Sequence, residues 1–270
     1  MVEKIYVEKK TDFDEKYWVG KTPLETHYGR LVKNEADVYY GGLIVASYRK
    51  LPPTIKGLLR KCCSVAKCSV SSRTRGVKQI SAVFGALPRV AIREDYCRFS
   101  SQTKAQPEVF YALVDVGRGL WGLYKHKFPS MAHEFEEYTL NNIGNDWKKT
   151  GTPFTTININ KNFAIGYHKD KANVSGVYSN VIISKENTKG GYFVCPEFDI
   201  AFEQSDGYLL IVDGVNILHG VTNIIPTKKI WSRSSVVFYT LKALCNCYPK
   251  EEEISRQKKV TTERARKRAL

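Results

Sequence analysis

Apolar and polar residues alternate at period two through residues 154–160, Phe-Thr-Thr-Ile-Asn-Ile-Asn. The alternation returns within 178–183, 192–194, 200–203, 208–212 and 234–241. This rhythm sends successive side chains to opposite faces of extended strands. Turn residues separate the runs: Lys189-Gly190-Gly191, Ser205-Asp206-Gly207 and Asp213-Gly214. Short strands at this spacing predict a sandwich or barrel of jelly-roll type. Upstream the pattern is different. Residues 38–48 read as a hairpin turning at Gly41-Gly42. A basic helix over 54–66 follows Leu51-Pro52-Pro53, and helices over 106–123 and 130–142 begin beside Pro107 and Pro129. Residues 69–76, rich in Ser and Arg, read as a loop. The first twenty residues are polar and mixed in charge, which predicts a loosely held start. The stretch from Pro249 is charged and lacks aromatics, as an amphipathic helix or a flexible tail would be. The expected fold class is α+β. A double-stranded β-helix (jelly-roll) core at 151–248 is set on an N-terminal helical/mixed buttress at 1–150. Together these make a single domain, 1–248, with a charged C-terminal tail at 249–270.

Composition narrows this picture. Hydrophobic residues make up 43% of the 270 and aromatics 12%, so the chain has the means to build a core and is not a disordered one. No apolar run approaches the roughly 18 residues of a membrane span, and Met1-Val2-Glu3-Lys4 does not begin a signal peptide. The seven cysteines are odd in number, which predicts reduced thiols in an intracellular protein. Cys62, Cys63 and Cys68 with Cys245 and Cys247 are a conceivable zinc set, but CxxC pairs are absent and small buried hydrophobes are the simpler expectation.

The net charge of +15 is localised. Residues 38–93 hold eleven bases and no acid, residues 250–270 hold eight bases against four acids, and the remainder is neutral. Such asymmetry points to a polyanion, nucleic acid before membrane. A plain solvated face is the alternative.

The chemistry lies in the alternating half. His168 and Asp170 are two apart, so on a strand they share a face, and His219 follows Asp170 by 49 residues. Two histidines and one carboxylate on one side of an ion leave three positions open, the facial arrangement of non-haem Fe(II) oxygenases. Arg233, 14 residues beyond His219, suits the distal carboxylate of 2-oxoglutarate, which it can hold through two parallel hydrogen bonds. The competing readings are satisfied core histidines beside a surface arginine, and a jelly roll carrying another metal.

These residues resemble a known family. Gly151-Thr152-Pro153-Phe154, the strand ending in Asn160, and His168-x-Asp170 are similar to the thymine hydroxylases that start base J synthesis in kinetoplastids. Arg233-Ser-Ser-Val-Val-Phe-Tyr239 is similar both to those enzymes and to the TET methylcytosine dioxygenases. The likeness is sharp from 151 to about 241 and diffuse from 39 to 145. It implies Fe(2+) on His168, Asp170 and His219, with 2-oxoglutarate and O2 as cosubstrates and Arg233, Ser235 and Asn160 on the 2-oxoglutarate. It implies Asn173 and Tyr239 at the substrate base. Leu241 stands where TET enzymes place a base-contacting His, which tilts the expected substrate from 5-methylcytosine toward thymine. AlkB-type repair demethylases carry Arg-x5-Arg on this strand, and Tyr239 breaks that motif. The expected function is hydroxylation of a pyrimidine 5-methyl group in DNA, double-stranded with the base flipped out. The expected state is a monomer located with DNA, in the nucleus of a eukaryote or the cytoplasm of a bacterium or viral host. Arg60, Lys61, Arg73, Arg75 and Lys78 are the expected backbone contacts. The alternatives are an oxygenase acting on a protein or small molecule, and a nonenzymatic nucleic-acid-binding protein.

Overall fold

The computed structural model describes residues 2–72, 78–90, 94–148 and 151–268. Arg73 and Arg75 lie outside them, and so does the side chain of Lys78. The strands are β1 (Glu3–Tyr6), β2 (Arg30–Val32), β3 (Ala36–Tyr40), β4 (Leu43–Lys50), β5 (Ser69–Ser72), β6 (Lys78–Leu87), β7 (Arg98–Phe99) and β8 (Thr156–Lys161). They continue as β9 (Ser179–Glu186), β10 (Thr188–Gly190), β11 (Phe193–Cys195), β12 (Ile200–Phe202), β13 (Tyr208–Val212), β14 (Gly220–Val221), β15 (Ile224–Pro226) and β16 (Ser232–Tyr239). The helices are α1 (Glu15–Trp18), α2 (Pro53–Val65), α3 (Ser101–Ala105), α4 (Pro107–Lys127), α5 (Pro129–Asn142) and α6 (Lys250–Arg268).

The chain divides into two compact units. One comprises Met1–Ala82, Asn158–Lys171 and Ser175–Phe238. Its main sheet runs β1-β3-β4-β13-β9-β16 and on through β8, β6 and β5. A four-stranded sheet, β14-β11-β12-β2, packs against it. Ile5, Val38, Tyr48, Leu210 and Val212 of the larger sheet and Val32, Phe193, Ile200 and Phe202 of the smaller meet in one buried core. This is a jelly roll, as the alternating pattern predicts, but its sheets also take in β1 to β4 from the segment expected to be a buttress. The hairpin β3–β4 turns at Gly41 and Gly42, both with positive φ, as expected. Helix α2 begins beside two prolines and buries Leu59, Cys62 and Cys63.

The start of the chain corrects the sequence expectation. It is not loose. β1 pairs in parallel with β3, and Ile5 is 2% exposed. Its polar composition hid this because most of its contacts are backbone hydrogen bonds and ion pairs.

The other unit comprises Val83–Ile157, Ala172–Val174 and Tyr239–Leu270. Helix α4 buries Phe110, Leu113, Val114, Leu120, Trp121 and Tyr124, spaced as one helical stripe. Trp121 meets Phe135 of α5 edge to face. The tail is helical. α6 is anchored by Glu253, 1% exposed, which accepts from Arg89 at 2.6 Å and from the backbone N–H groups of Cys97 and Tyr248 at 2.9 Å each. Beside it Cys97 and Cys247 form a disulfide, which corrects the expectation of seven reduced thiols. The bridge joins positions 150 residues apart, so nothing local in the sequence announces it. Cys62, Cys63 and Cys195 are buried thiols, as small hydrophobes would be. Among the described residues no helix is long and apolar enough to cross a membrane.

Candidate active site

His168 and His219 are partners in an isolated antiparallel bridge. The His168 N–H donates to the His219 carbonyl at 2.8 Å, and the His219 N–H donates to the His168 carbonyl at 3.0 Å. Asp170 is fixed separately, its N–H donating to the Gly214 carbonyl at 2.8 Å. A Cβ on Gly214 would sit 2.8 Å from Asp170 Oδ2, so any side chain there would push the carboxylate aside. The donor atoms of the three residues all lie within 4.8 Å of one another. His168 Nε2 is 3.5 Å from Asp170 Oδ1, and His219 Nε2 is 3.9 Å from Oδ2.

The ring nitrogens are sorted by their partners. His168 Nδ1 lies 2.9 Å from the Gly166 carbonyl and His219 Nδ1 lies 2.9 Å from the Ile217 carbonyl. A carbonyl only accepts, so each Nδ1 carries a proton and Nε2 is the nitrogen turned toward Asp170. Burial, then the neighbouring His168, pushes the His219 pKa down to about 4, so its imidazole is neutral at neutral pH. Phe193 stacks on the His219 ring at 4.9 Å. Two imidazoles presenting Nε2 and one carboxylate suit a divalent cation such as Fe(2+).

Residues 9–28 strap both ligand-bearing segments, which the sequence did not reveal. The Tyr167 N–H donates to the Lys21 carbonyl and its carbonyl accepts from Gly20 N–H, at 2.9 and 2.8 Å. Lys169 pairs with Glu15 at 2.5 Å. On the other segment the Leu218 N–H donates to Glu197 Oε1 at 2.7 Å. Glu197 is 2% exposed, and its other oxygen takes Lys9 at 2.7 Å. Gly166 lets the strap approach: a Cβ there would meet the Gly20 carbonyl oxygen at 2.9 Å.

Arg233 is 2% exposed. Its Nη2 donates to the Gly191 carbonyl at 3.0 Å, while its buried Nε has no hydrogen-bond partner among the described residues. Its backbone exchanges two hydrogen bonds with Asn162, at 2.7 and 2.8 Å. Burial lowers its pKa to about 10, which leaves it cationic at neutral pH. A buried guanidinium with a spare donor fits an anionic ligand such as the distal carboxylate of 2-oxoglutarate. Ser235 lies two residues on along β16, hence on the same face, and Asn160 Nδ2 approaches its hydroxyl at 3.5 Å. Arg233, Ser235 and Asn160 therefore belong to the same unit as the three metal-ligand candidates.

The base candidates belong to the other unit. Asn173 is 8% exposed and bridges Leu241. Tyr239 is half-buried, and its carbonyl accepts the Thr155 N–H at 3.1 Å. Leu241 packs on a core of Ala86, Cys97, Ile143, Trp147 and Leu244.

The acid-free segment is acid-free in sequence but not in space. Arg49 pairs with Asp37, Lys56 and Arg60 share Asp206 at 2.8 Å each, and Arg89 holds Glu253. Lys61 is exposed. The charge excess available to a partner is therefore smaller than the count of bases implies.

Three comparisons bear on the chain. Residues 91–242 match the family model Tet/JBP, the oxygenase domain of the 2OGFeDO superfamily. The bifunctional helicase and thymine dioxygenase JBP2 of Leishmania braziliensis is 23% identical over 223 residues, 76% of this chain and 19% of that protein. JBP2 of Trypanosoma brucei brucei is 29% identical over 119 residues, 43% of this chain and 10% of that protein. The chain thus spans less than a fifth of the length of these curated relatives. Among solved structures, NgTET1 in complex with 5mC DNA superposes with a TM-score of 0.64 at 12% identity, covering 96% of this chain and 90% of that one, which supports the fold.

Proposed function

The chain belongs to the Tet/JBP oxygenase family and is an Fe(2+)/2-oxoglutarate-dependent dioxygenase, and from that premise we propose that it hydroxylates the 5-methyl group of a pyrimidine flipped out of double-stranded DNA. The observation that carries this reading is one compact unit holding both the His168, Asp170 and His219 donors and the buried, half-satisfied guanidinium of Arg233. The JBP2 relatives are thymine dioxygenases, and NgTET1 was solved with 5mC DNA, which supports a DNA base as substrate.

His168, Asp170 and His219 would hold the iron, and Arg233, aided by Ser235 and Asn160, the 2-oxoglutarate. When bound, iron with 2-oxoglutarate and O2 supplies the oxidising power to break the methyl C–H bond. The remaining work is that of the chain. The Nδ1 hydrogen bonds keep both Nε2 lone pairs aimed at one point. The mutual bridge of His168 and His219 fixes their separation. Phe193 shields one ring from water. Arg233 orients the cosubstrate from a dry position, where a charge-assisted hydrogen bond is strong.

In a duplex the methyl group lies in the major groove with its base stacked, so the base must leave the stack at a cost of a few kcal/mol. Cationic contacts to the flanking phosphates, with the exposed Lys61 among the described candidates and Arg60 already committed to Asp206, hold the backbone during that excursion. Asn173 and Tyr239 are assigned to the base edge and face. Cytosine N3 is an acceptor and rewards a donor, whereas thymine N3 carries a hydrogen. Leu241 offers no donor and is committed to a hydrophobic core, so thymine is the preferred substrate and 5-hydroxymethyluracil the product. The enzyme acts as a monomer.

The test is nucleoside mass spectrometry after incubation with Fe(2+), 2-oxoglutarate and duplexes containing thymine or 5-methylcytosine. 5-Hydroxymethyluracil is the expected product. 5-Hydroxymethylcytosine alone would reverse the base preference. Succinate formation without any hydroxymethyl pyrimidine on every DNA tried would move the substrate to a protein or small molecule.

A further inference from the structure

Strands β9 and β16 pair antiparallel with Arg233 directly opposite Lys185. Directly opposed residues on antiparallel strands send their side chains to the same face, and like charges there repel. Lys185 therefore stands beside Arg233 on the face that carries Ser235. It is half-buried. Burial, then Arg233, lowers its pKa, while Glu203 and Asp206 act in the opposite direction.

Neither acid neutralises it directly, since among the described residues the Lys185 Nζ makes no ion pair or hydrogen bond. Asp206 is already committed. Its carboxylate takes Lys56, Arg60 and the backbone N–H of Lys185, the last at 2.9 Å. Arg233 and Lys185 both line a cavity of about 580 Å³ that Arg60, Lys61 and Lys161 also border. Arg60 is held by Asp206 and Lys161 donates to the Ala66 carbonyl at 2.9 Å, so neither is aimed at a ligand. Lys61 is exposed, which leaves Arg233, buried, and Lys185, half-buried, as the two adjacent cations, the first with a buried donor unused. That arrangement is stable when an anion lies between them.

We propose that Lys185 is a second cation on the distal carboxylate of 2-oxoglutarate, acting with Arg233 to make a dicarboxylic oxo acid obligatory. The proposal rests on Arg233 as the cosubstrate anchor. A carboxylate has two oxygens and about four lone-pair sites, enough for the guanidinium fork and one ammonium hydrogen bond. Arg233 supplies geometry, and Lys185 supplies the additional charge that separates a dianionic oxo acid from a monoanionic one.

The test is calorimetric binding without turnover, anaerobically and with Mn(II) in place of iron. The probes are 2-oxoglutarate and 2-oxopentanoate, which has the same chain without the distal carboxylate. Lys185→Met should weaken 2-oxoglutarate about 10- to 100-fold, the worth of one charge-assisted hydrogen bond. It should leave 2-oxopentanoate binding unchanged, and Lys185→Arg should recover most of the loss. Wild-type affinity for 2-oxoglutarate in Lys185→Met would overturn the proposal, and so would equal weakening of both probes. Arg233→Met separates the two readings. If it loses 2-oxoglutarate while Lys185→Met does not, only the role of Lys185 falls. If Arg233→Met binds normally, the anchor itself is misassigned.

Discussion

Replacing Glu197 with alanine tests how the strap controls the metal centre. Glu197 touches no metal ligand. It accepts the backbone N–H of Leu218, the residue before His219, at 2.7 Å, and it pairs with Lys9 at 2.7 Å. In Glu197→Ala the Leu218 amide is left buried without that acceptor, a loss of about 1–3 kcal/mol. The Lys9 pair adds on the order of 0.5 kcal/mol, discounted because the Lys9 side chain is 44% exposed. Urea titration should thus place Glu197→Ala about 1.5–3.5 kcal/mol below wild type at unchanged slope. Lys9→Ala should lose under about 1 kcal/mol. Because Glu197 steers the segment carrying His219, Mn(II) affinity should also fall about 10- to 100-fold, as for other supporting partners of metal ligands. Amide exchange at Leu218 should quicken in Glu197→Ala and not in Lys9→Ala. A Glu197→Ala protein with wild-type Mn(II) affinity would refute the positioning argument even if stability fell as expected.

Asp170→Ala should abolish Mn(II) binding by calorimetry and iron-dependent turnover while leaving DNA retention in a mobility-shift assay intact; retained activity would displace the triad. Cys97→Ser opens a 150-residue loop, worth about 5 kcal/mol in the loop-entropy view and usually less in practice. Its melting temperature should drop, and reductant should bring wild type down to it while leaving the variant unmoved. Burial alone would raise the Glu253 pKa, but hydrogen bonds from Arg89, Tyr248 N–H and Cys97 N–H hold it below the usual 4.5. A depressed carboxylate stabilises the fold above its unfolded value and loses that contribution as pH falls through the folded one. Glu253→Gln should therefore lose about 2 kcal/mol at neutral pH, and the gap to wild type should close below about pH 4.5 in denaturation curves.

What the sequence disclosed follows from range. Arg233 and Ser235 are legible because a strand places i and i+2 on one face; His168 and Asp170 are found by the same spacing, although they lie outside the strands, on a segment that meets His219 in a single bridge. Helices α4 and α5 are legible from their leading prolines. The strap was not, because Lys9, Glu15, Gly20 and Lys21 act through ion pairs and main-chain bonds that leave no apolar periodicity. Glu197 looks like any surface acid until Leu218 is seen to spend its amide on it. The pairing of Arg60 with Asp206 and of Arg89 with Glu253 joins positions far apart in sequence, so a local charge count overstated the free positive surface. Lys185 gains meaning only from its register opposite Arg233.

The mutual bridge between His168 and His219 has a consequence for how this site can vary. Each ligand's backbone is the other's hydrogen-bonding partner. The intervening excursion through β9 to β13 begins and ends at a closed gate. Length can therefore be gained or lost along that excursion, for instance at Asn187 in the turn between β9 and β10, without changing the separation of the two imidazoles. A chain lengthened in that turn should therefore bind Mn(II) as tightly as wild type.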